Sequence, residues 1–162
     1  MASSQTWLLK TEPDEFSIDD LSSSAPSVWD GVRNYKARNY LRDDVQLGDR
    51  VFIYHSSCRL IGIAGLALVT RSGYADPAQF DLSSPYYDAK STIDRPRWYC
   101  IDLKLEQRFE RVIPLALLKQ QPQLADMLLL RQPRLSVQPV SAEHFRHIMA
   151  MNSPVALTQG HL

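Results

Sequence analysis

The sequence predicts an α+β domain, a small and partly open mixed β-barrel flanked by short helices. Three observations predict it. Five or six apolar runs with β-branched and aromatic character are separated by turn clusters and short helical segments. Those segments follow no regular strand–helix–strand rhythm, which argues against a parallel α/β sheet. Gly62 and Gly65 fall inside the longest apolar run, Leu60 to Val69, where they supply sharp curvature. The 162 residues allow one domain, expected over 1–150, with residues 151–162 expected to fray.

The elements follow in order. Thr6 to Lys10 (TWLLK) reads as a first strand, ended by Glu12-Pro13 because proline lacks a ladder donor. Ser17 is an N-cap for a helical turn over Ile18 to Leu21. Ser22 to Ser27 reads as a loop, and Asn34 to Asp43 as a helix. That helix sets Tyr35, Arg38, Asn39 and Arg42 on one face, a polar and aromatic stripe. Arg50 to His55 alternates as a strand, with Val51, Ile53 and His55 opposite Phe52, Tyr54 and Ser56. Leu60 to Thr70 is a second long strand, and Asp76 to Ser91 is turn-rich. Arg97 to Leu105 is a strand that Phe109 to Ile113 extends. Pro114 to Lys119 opens a helix with proline in its first turn, and Gln123 to Leu130 is another short helix. Leu135 to Val140 closes the sheet, and Ser141 caps a last helix.

Composition excludes several classes. The chain carries 18 Lys+Arg against 18 Asp+Glu, so bulk charge does not hold it to a polyanion. No run approaches the ~18 apolar residues of a membrane span, and the MASSQTW start has no signal-peptide pattern. Both expectations point to a cytoplasmic or nuclear protein without a membrane partner. Cys58 and Cys100 are too few for a zinc motif and read as reduced, buried thiols. No metal or cofactor is expected. The neutral total hides a gradient, with −5 over residues 1–30 and +4 over 31–72. Arg33, Lys36, Arg38 and Arg42 fall within ten residues, interleaved with Asn34, Tyr35, Asn39 and Tyr40. Such a window suits phosphate and base contacts; it equally suits a solvated helix face.

The ordered segments WLLKTEP (Trp7–Pro13), WDGVRNYKARN (Trp29–Asn39), VFIYHS (Val51–Ser56), GIAGLALV (Gly62–Val69), YYDAKS (Tyr86–Ser91), PRWYCIDL (Pro96–Leu103) and RLSVQPV (Arg134–Val140) resemble the EVE domain family from Trp7 to about Ile148. The resemblance implies a PUA-like barrel. It also implies a non-enzymatic reader of modified bases, chiefly cytosine modified at carbon 5 in DNA, with modified RNA a second substrate class. Thr11 and Lys36 depart from the Ser and Gln common in that family, and Lys36 adds a charge beside the expected ligand face.

A base reader needs a flat apolar wall, polar groups for the base edge and cations for phosphates. Trp29 and Trp98 are the candidate walls, whereas Trp7 reads as core. Asn34 and Asn39 can donate and accept. Gly31 permits close backbone approach. Ser56 with the backbone near His55, and Ser136 with Gln138, complete the polar set, and Val32, Tyr35, Tyr54 and Leu135 complete the pocket. Arg33, Lys36, Arg38 and Arg134 are the phosphate candidates, with Lys10 and Glu12 in support, Glu12 either pairing with an arginine or accepting from a base amino group.

Two other functions compete. One is a nucleic-acid-processing hydrolase built on His55, Tyr54 and Glu12. No triad or metal set accompanies His55, and Glu143, His144 and His147 read as a helix surface, so a structural or ligand-contacting His55 is favoured. The other is a small-molecule or protein-interaction module in the same cleft. A free-standing reader is expected to act through an effector protein, whose identity the sequence leaves open.

Overall fold

A computed structural model describes residues 4–152. Six strands form one mixed sheet in the order β2-β5-β4-β3-β1-β6. They are β1 (Thr6–Thr11), β2 (Ser27–Trp29), β3 (Arg50–His55), β4 (Gly62–Ala75), β5 (Tyr99–Pro114) and β6 (Val137–Val140). β1 runs parallel to β3, with Thr6 opposite Arg50 and Thr11 opposite His55. Every other pairing is antiparallel.

Alternation along β1 and β3 divides the core into two clusters. Trp7, Leu9, Val51 and Ile53 face one, while Leu8, Phe52 and Tyr54 face the other. Both faces of the central strands are therefore buried, and β3 is buried from Val51 to His55. The first cluster takes in Trp29 from β2 and Val137 from β6, the two edges of the sheet. Opposite edges sharing one core means that the sheet curls into a partly open, PUA-like barrel. The second cluster is covered by α2 (Leu115–Leu118), α3 (Leu128–Arg131) and α4 (Ala142–Met151). Gly62 and Gly65 sit where strands β4 and β5 approach closely: a Cβ would lie 2.1 Å from the Ile113 carbonyl oxygen at Gly62 and 2.6 Å from that of Gln107 at Gly65.

Several expectations change. Ser27–Trp29 is strand, not the end of a loop, because β5 supplies its partner at Ile101 to Leu103. The helix expected over 34–43 is α1 (Tyr35–Asn39) followed by a π-helical turn over Tyr40–Asp44, closed by Val45 N–H donating to the Tyr40 carbonyl at 2.9 Å. Its inward stripe is Ala37, Leu41 and Val45, an i, i+4, i+8 series outshone in the sequence by its polar neighbours. Arg97 to Leu105 and Phe109 to Ile113 merge into the single strand β5. Pro114 is the N-cap of α2 and not its first helical residue. Gln123 to Leu130 is two separate turns, a 3-10 turn at Pro122–Leu124 and α3, and β6 begins at Val137. Cys58 is half-buried, not buried, because Ser56 to Leu60 leave the sheet; Cys100 is fully buried.

The caps match. Ser17 accepts from the Asp19 amide at 3.1 Å and Asp20 accepts from the Ser17 amide at 2.7 Å, a reciprocal box. Ser141 accepts from the His144 amide at 3.1 Å. Among the described residues no helix is long and apolar enough to cross a membrane. The tail expected from 151 lies outside the described residues beyond Asn152.

Candidate nucleic-acid interface

Strands β1 and β3 end side by side, and beyond their C-terminal ends lies a cavity of about 930 Å³. It spans both faces of the sheet. On the barrel side its wall is Thr11, Phe16, Trp29, Asp30, Gly31, Val32 and Tyr86, with Glu12 and Glu15. On the helix side it is Lys10, Tyr54, Ile61, Leu115, Lys119, Leu129, Leu130 and Pro133. Alternation explains the split, because Thr11 follows Trp7 and Leu9 inward while Lys10 follows Leu8 outward. Arg33, Ser56, Arg134 and Ser136 also line it.

The barrel-side wall depends on Asp76. This carboxylate is fully buried and accepts from the Gly31 amide at 3.0 Å, the Ala78 amide at 2.8 Å and Arg33 at 2.9 Å. Arg33 in turn donates through Nε and Nη2 to the Tyr86 carbonyl at 3.2 and 2.7 Å. One ion pair thus ties the turn after β2 to the loop that carries Tyr86. Gly31 has φ of +82°, and the Tyr86 ring covers it so closely that a Cβ would meet ring carbons at 2.9 Å. Only glycine meets both conditions. The Tyr86 hydroxyl donates to Glu15 Oε2 at 2.7 Å, and that bond, followed by burial, pushes the phenol up to about 12.

Charge divides along the same line. Asp30, Glu12 and Glu15 stand on the barrel side, while Lys10 and Lys119 stand on the helix side with Arg134. Burial first, then the Asp76 charge, pushes the Asp30 carboxyl above its ordinary range despite Arg33. Burial pulls the Lys10 ammonium down; it donates to the Pro133 carbonyl and stands 5.6 Å from the Tyr54 ring centroid.

The structure brings together Lys10, Glu12, Trp29, Gly31, Val32, Arg33, Tyr54, Ser56, Arg134 and Ser136 from the sequence-derived set. The remaining candidates do not line this cavity. Trp98 is buried beneath Tyr35 (rings stacked at 5.0 Å) and its indole donates to Asp88 at 2.7 Å, so it forms no wall opposite Trp29. Trp29 is itself 6% exposed and belongs to the core, contrary to the loop reading. Asn34 caps α1 through the Ala37 amide, and Asn39 accepts from Arg38 Nε. Arg38 also donates to the Arg97 carbonyl at 2.8 Å. Lys36 donates to Gln132 at 2.8 Å, and with Asn34, Arg134 and Leu135 it lines a neighbouring cavity of about 430 Å³. Gln138 is fully buried and donates to the Gln132 and Leu135 carbonyls. His55 accepts from the Ile18 amide through Nε2 at 3.1 Å, and burial holds its imidazole below the usual histidine range.

Sequence reasoning missed Glu15, Phe16, Asp30, Ser57, Tyr86, Lys119 and the Leu129-Leu130 pair. YYDAKS contains Tyr86, but nothing local says that Arg33 draws its loop 53 residues back. Among the described residues no cluster of three metal-ligating side chains exists; His144 pairs with Asp126 at 3.0 Å and His147 with Gln121 at 2.9 Å.

Comparison with known proteins places this geometry in context. The sequence profile described as the EVE domain matches residues 5–151. Human thymocyte nuclear protein 1 is 39% identical over 91% of this chain and 74% of its own length. The crystal structure of the human THYN1 protein in complex with DNA containing 5-methylcytosine is 38% identical, with a TM-score of 0.86 over 93% of this chain and 98% of that one. A Pseudomonas putida protein of solved structure is 47% identical, with a TM-score of 0.87 over 91% and 99% of the two chains. An ASCH protein from Zymomonas mobilis, 14% identical with a TM-score of 0.58 over 92% of this chain and 99% of that one, shares the fold alone.

Proposed function

The chain belongs to the EVE domain family, and on that premise we propose that it reads 5-methylcytosine in DNA by enclosing the base in the cavity beyond β1 and β3. The observation that carries this reading is the barrel-side wall, where the aromatic groups Trp29 and Tyr86 stand with the carboxylates of Glu12, Glu15 and Asp30. Cytosine differs from thymine on its pairing edge by the exocyclic amino donor, and a carboxylate is the natural acceptor for it. The base must leave the duplex stack to reach such a wall. The human relative solved with methylated DNA supports the ligand class.

The reading is non-catalytic. His55 already spends its Nε2 lone pair on Ile18, and the Ser56 hydroxyl donates to the Thr11 carbonyl at 3.2 Å, so neither serves as the base or nucleophile that a hydrolase built on His55 needs.

The test is anisotropy titration with matched duplexes, methylated and unmethylated, alongside a modified RNA. We expect tighter binding to methylated DNA, and Asp30→Asn to cut the methylated affinity about tenfold, the ~1–3 kcal/mol of a lost base-edge contact. Equal affinities for the two duplexes, or preferred binding to the RNA, overturn the reading.

A further inference from the structure

The cations around the cavity are not equivalent. Arg33 and Arg38, at the centre of the basic window, spend their guanidinium groups inside the protein. Arg33 holds Asp76 and the Val32 and Tyr86 carbonyls, and Arg38 holds the Arg97 carbonyl and Asn39. Arg42, further along the same stripe, is paired with Asp43 through two bonds of 2.8 Å. Lys119 and Arg134 are different. Both are exposed, both line the cavity, and neither side chain makes a hydrogen bond or ion pair with a described residue. Arg134 also lines the smaller neighbouring cavity, which exposed Lys36 lines with it.

Size adds a second argument. At about 930 Å³ the cavity lies near the top of the ~300–1,000 Å³ range that encloses a drug-sized ligand. A single pyrimidine against Trp29 and Asp30 leaves the helix-side half unfilled. That half combines the aliphatic groups Ile61, Leu129 and Leu130 with cations, whereas the barrel-side half concentrates the carboxylates. A nucleotide has the same polarity: an amino-bearing base at one end and an anionic phosphodiester at the other.

Resting on the reader function above, we propose that the DNA backbone crosses the helix side of the cavity, from Lys119 on the turn after α2, past Arg134 ahead of β6, toward Lys36. The α1 stripe of Arg38, Asn39 and Arg42 lies off this path. The captured nucleotide therefore enters with its base toward Asp30 and its phosphates toward Lys119 and Arg134. Lys119 is a phosphate contact that no local motif announces.

The experiment is the salt dependence of DNA affinity for wild type, the double variant Lys119→Gln with Arg134→Gln, and Arg42→Gln, each with methylated and unmethylated duplexes. All three positions are exposed, and the fold of each variant is checked by its thermal transition. Each lost phosphate contact removes about 0.7–0.9 from the slope of log K against log salt. The double variant is expected to lose about 1.5, with its preference for the methylated duplex unchanged, and Arg42→Gln to match wild type. An unchanged slope in the double variant overturns the path, as does an equal loss in Arg42→Gln. So does a collapse of methyl preference in the double variant, which would put these cations at the base edge. Failure of the reader function has a separate signature, the absence of methyl preference in wild type, which the slopes do not affect.

Discussion

Two buried carboxylates, one away from the cavity and one beside it, do different work. Asp49 lies before β3, at the N-terminal end of the parallel pair. It accepts from the Gln5 amide at 3.0 Å, the Gln46 amide at 2.9 Å and the Trp7 indole at 2.9 Å. All its donors are neutral, two of them on the β1 chain, and they close that end of the barrel. Asp76 follows β4 and is bonded to Gly31 and Arg33 of the cavity wall, so its network includes a cation. Asp49 therefore fixes where β1 begins, whereas Asp76, through Arg33, fixes where the Tyr86 loop sits. The difference teaches that a buried charge away from the cavity serves the fold and one beside it serves the shape of the site.

Breaking the Asp49 end has the largest expected effect. Asp49→Ala leaves an indole and two amides without their acceptor and is expected to cost about 3 kcal/mol or more. Denaturant unfolding measures this, and the methyl preference of the remaining folded protein should not change. A shift in preference would mean that the two carboxylates are coupled. Beside the cavity, Asp76→Asn leaves Arg33 without its counter-charge. Arg33 keeps 22% of its side chain exposed, so we expect about 2 kcal/mol, less than for a fully buried pair. Here binding should suffer beyond stability, because the Tyr86 wall loses its tether. Stability lost with methylated-DNA affinity intact would erase the distinction between the two carboxylates.

The smallest effect concerns His55, which sits at the cavity end yet serves the fold. Its folded pKa lies below the unfolded value of ~6.5. The unfolded chain therefore takes up the proton first as pH falls, and stability drops below about pH 6.5 until the folded pKa is reached. Thermal midpoints from pH 7.5 to 5.5 should decline in wild type and decline less in His55→Gln. Parallel profiles would show that other groups carry the acid sensitivity.

What was legible in the sequence follows from range. Alternation in RVFIYH, the caps at Ser17 and Ser141, and the glycines at 62 and 65 are local signals, and the structure bears them out. β2 was hidden because three residues in a serine-rich stretch become strand only when β5 pairs with them. α1 misled for a related reason. Its polar residues looked like a ligand face, but Asn34 is a cap and Arg38 a brace, while the small residues Ala37 and Val45 did the packing unnoticed. Trp98 misled likewise, since its indole is consumed by Asp88. Half the cavity came from motifs, and the other half from loops that only tertiary contacts deliver, Tyr86 above all.

The position of β1 has a kinetic consequence. The earliest strand of this sheet in chain order is not an edge; it lies between β3 and β6, with Thr6 opposite Val140. During synthesis β1 can pair with β3 early, but its other side stays open until nearly the whole domain has emerged. This ladder, the most distant in sequence among the described strands, is therefore expected to form late. Such high contact order belongs to the millisecond-to-second regime of folding, and an apolar strand left with one free edge meanwhile is the segment most prone to pair with a neighbouring chain.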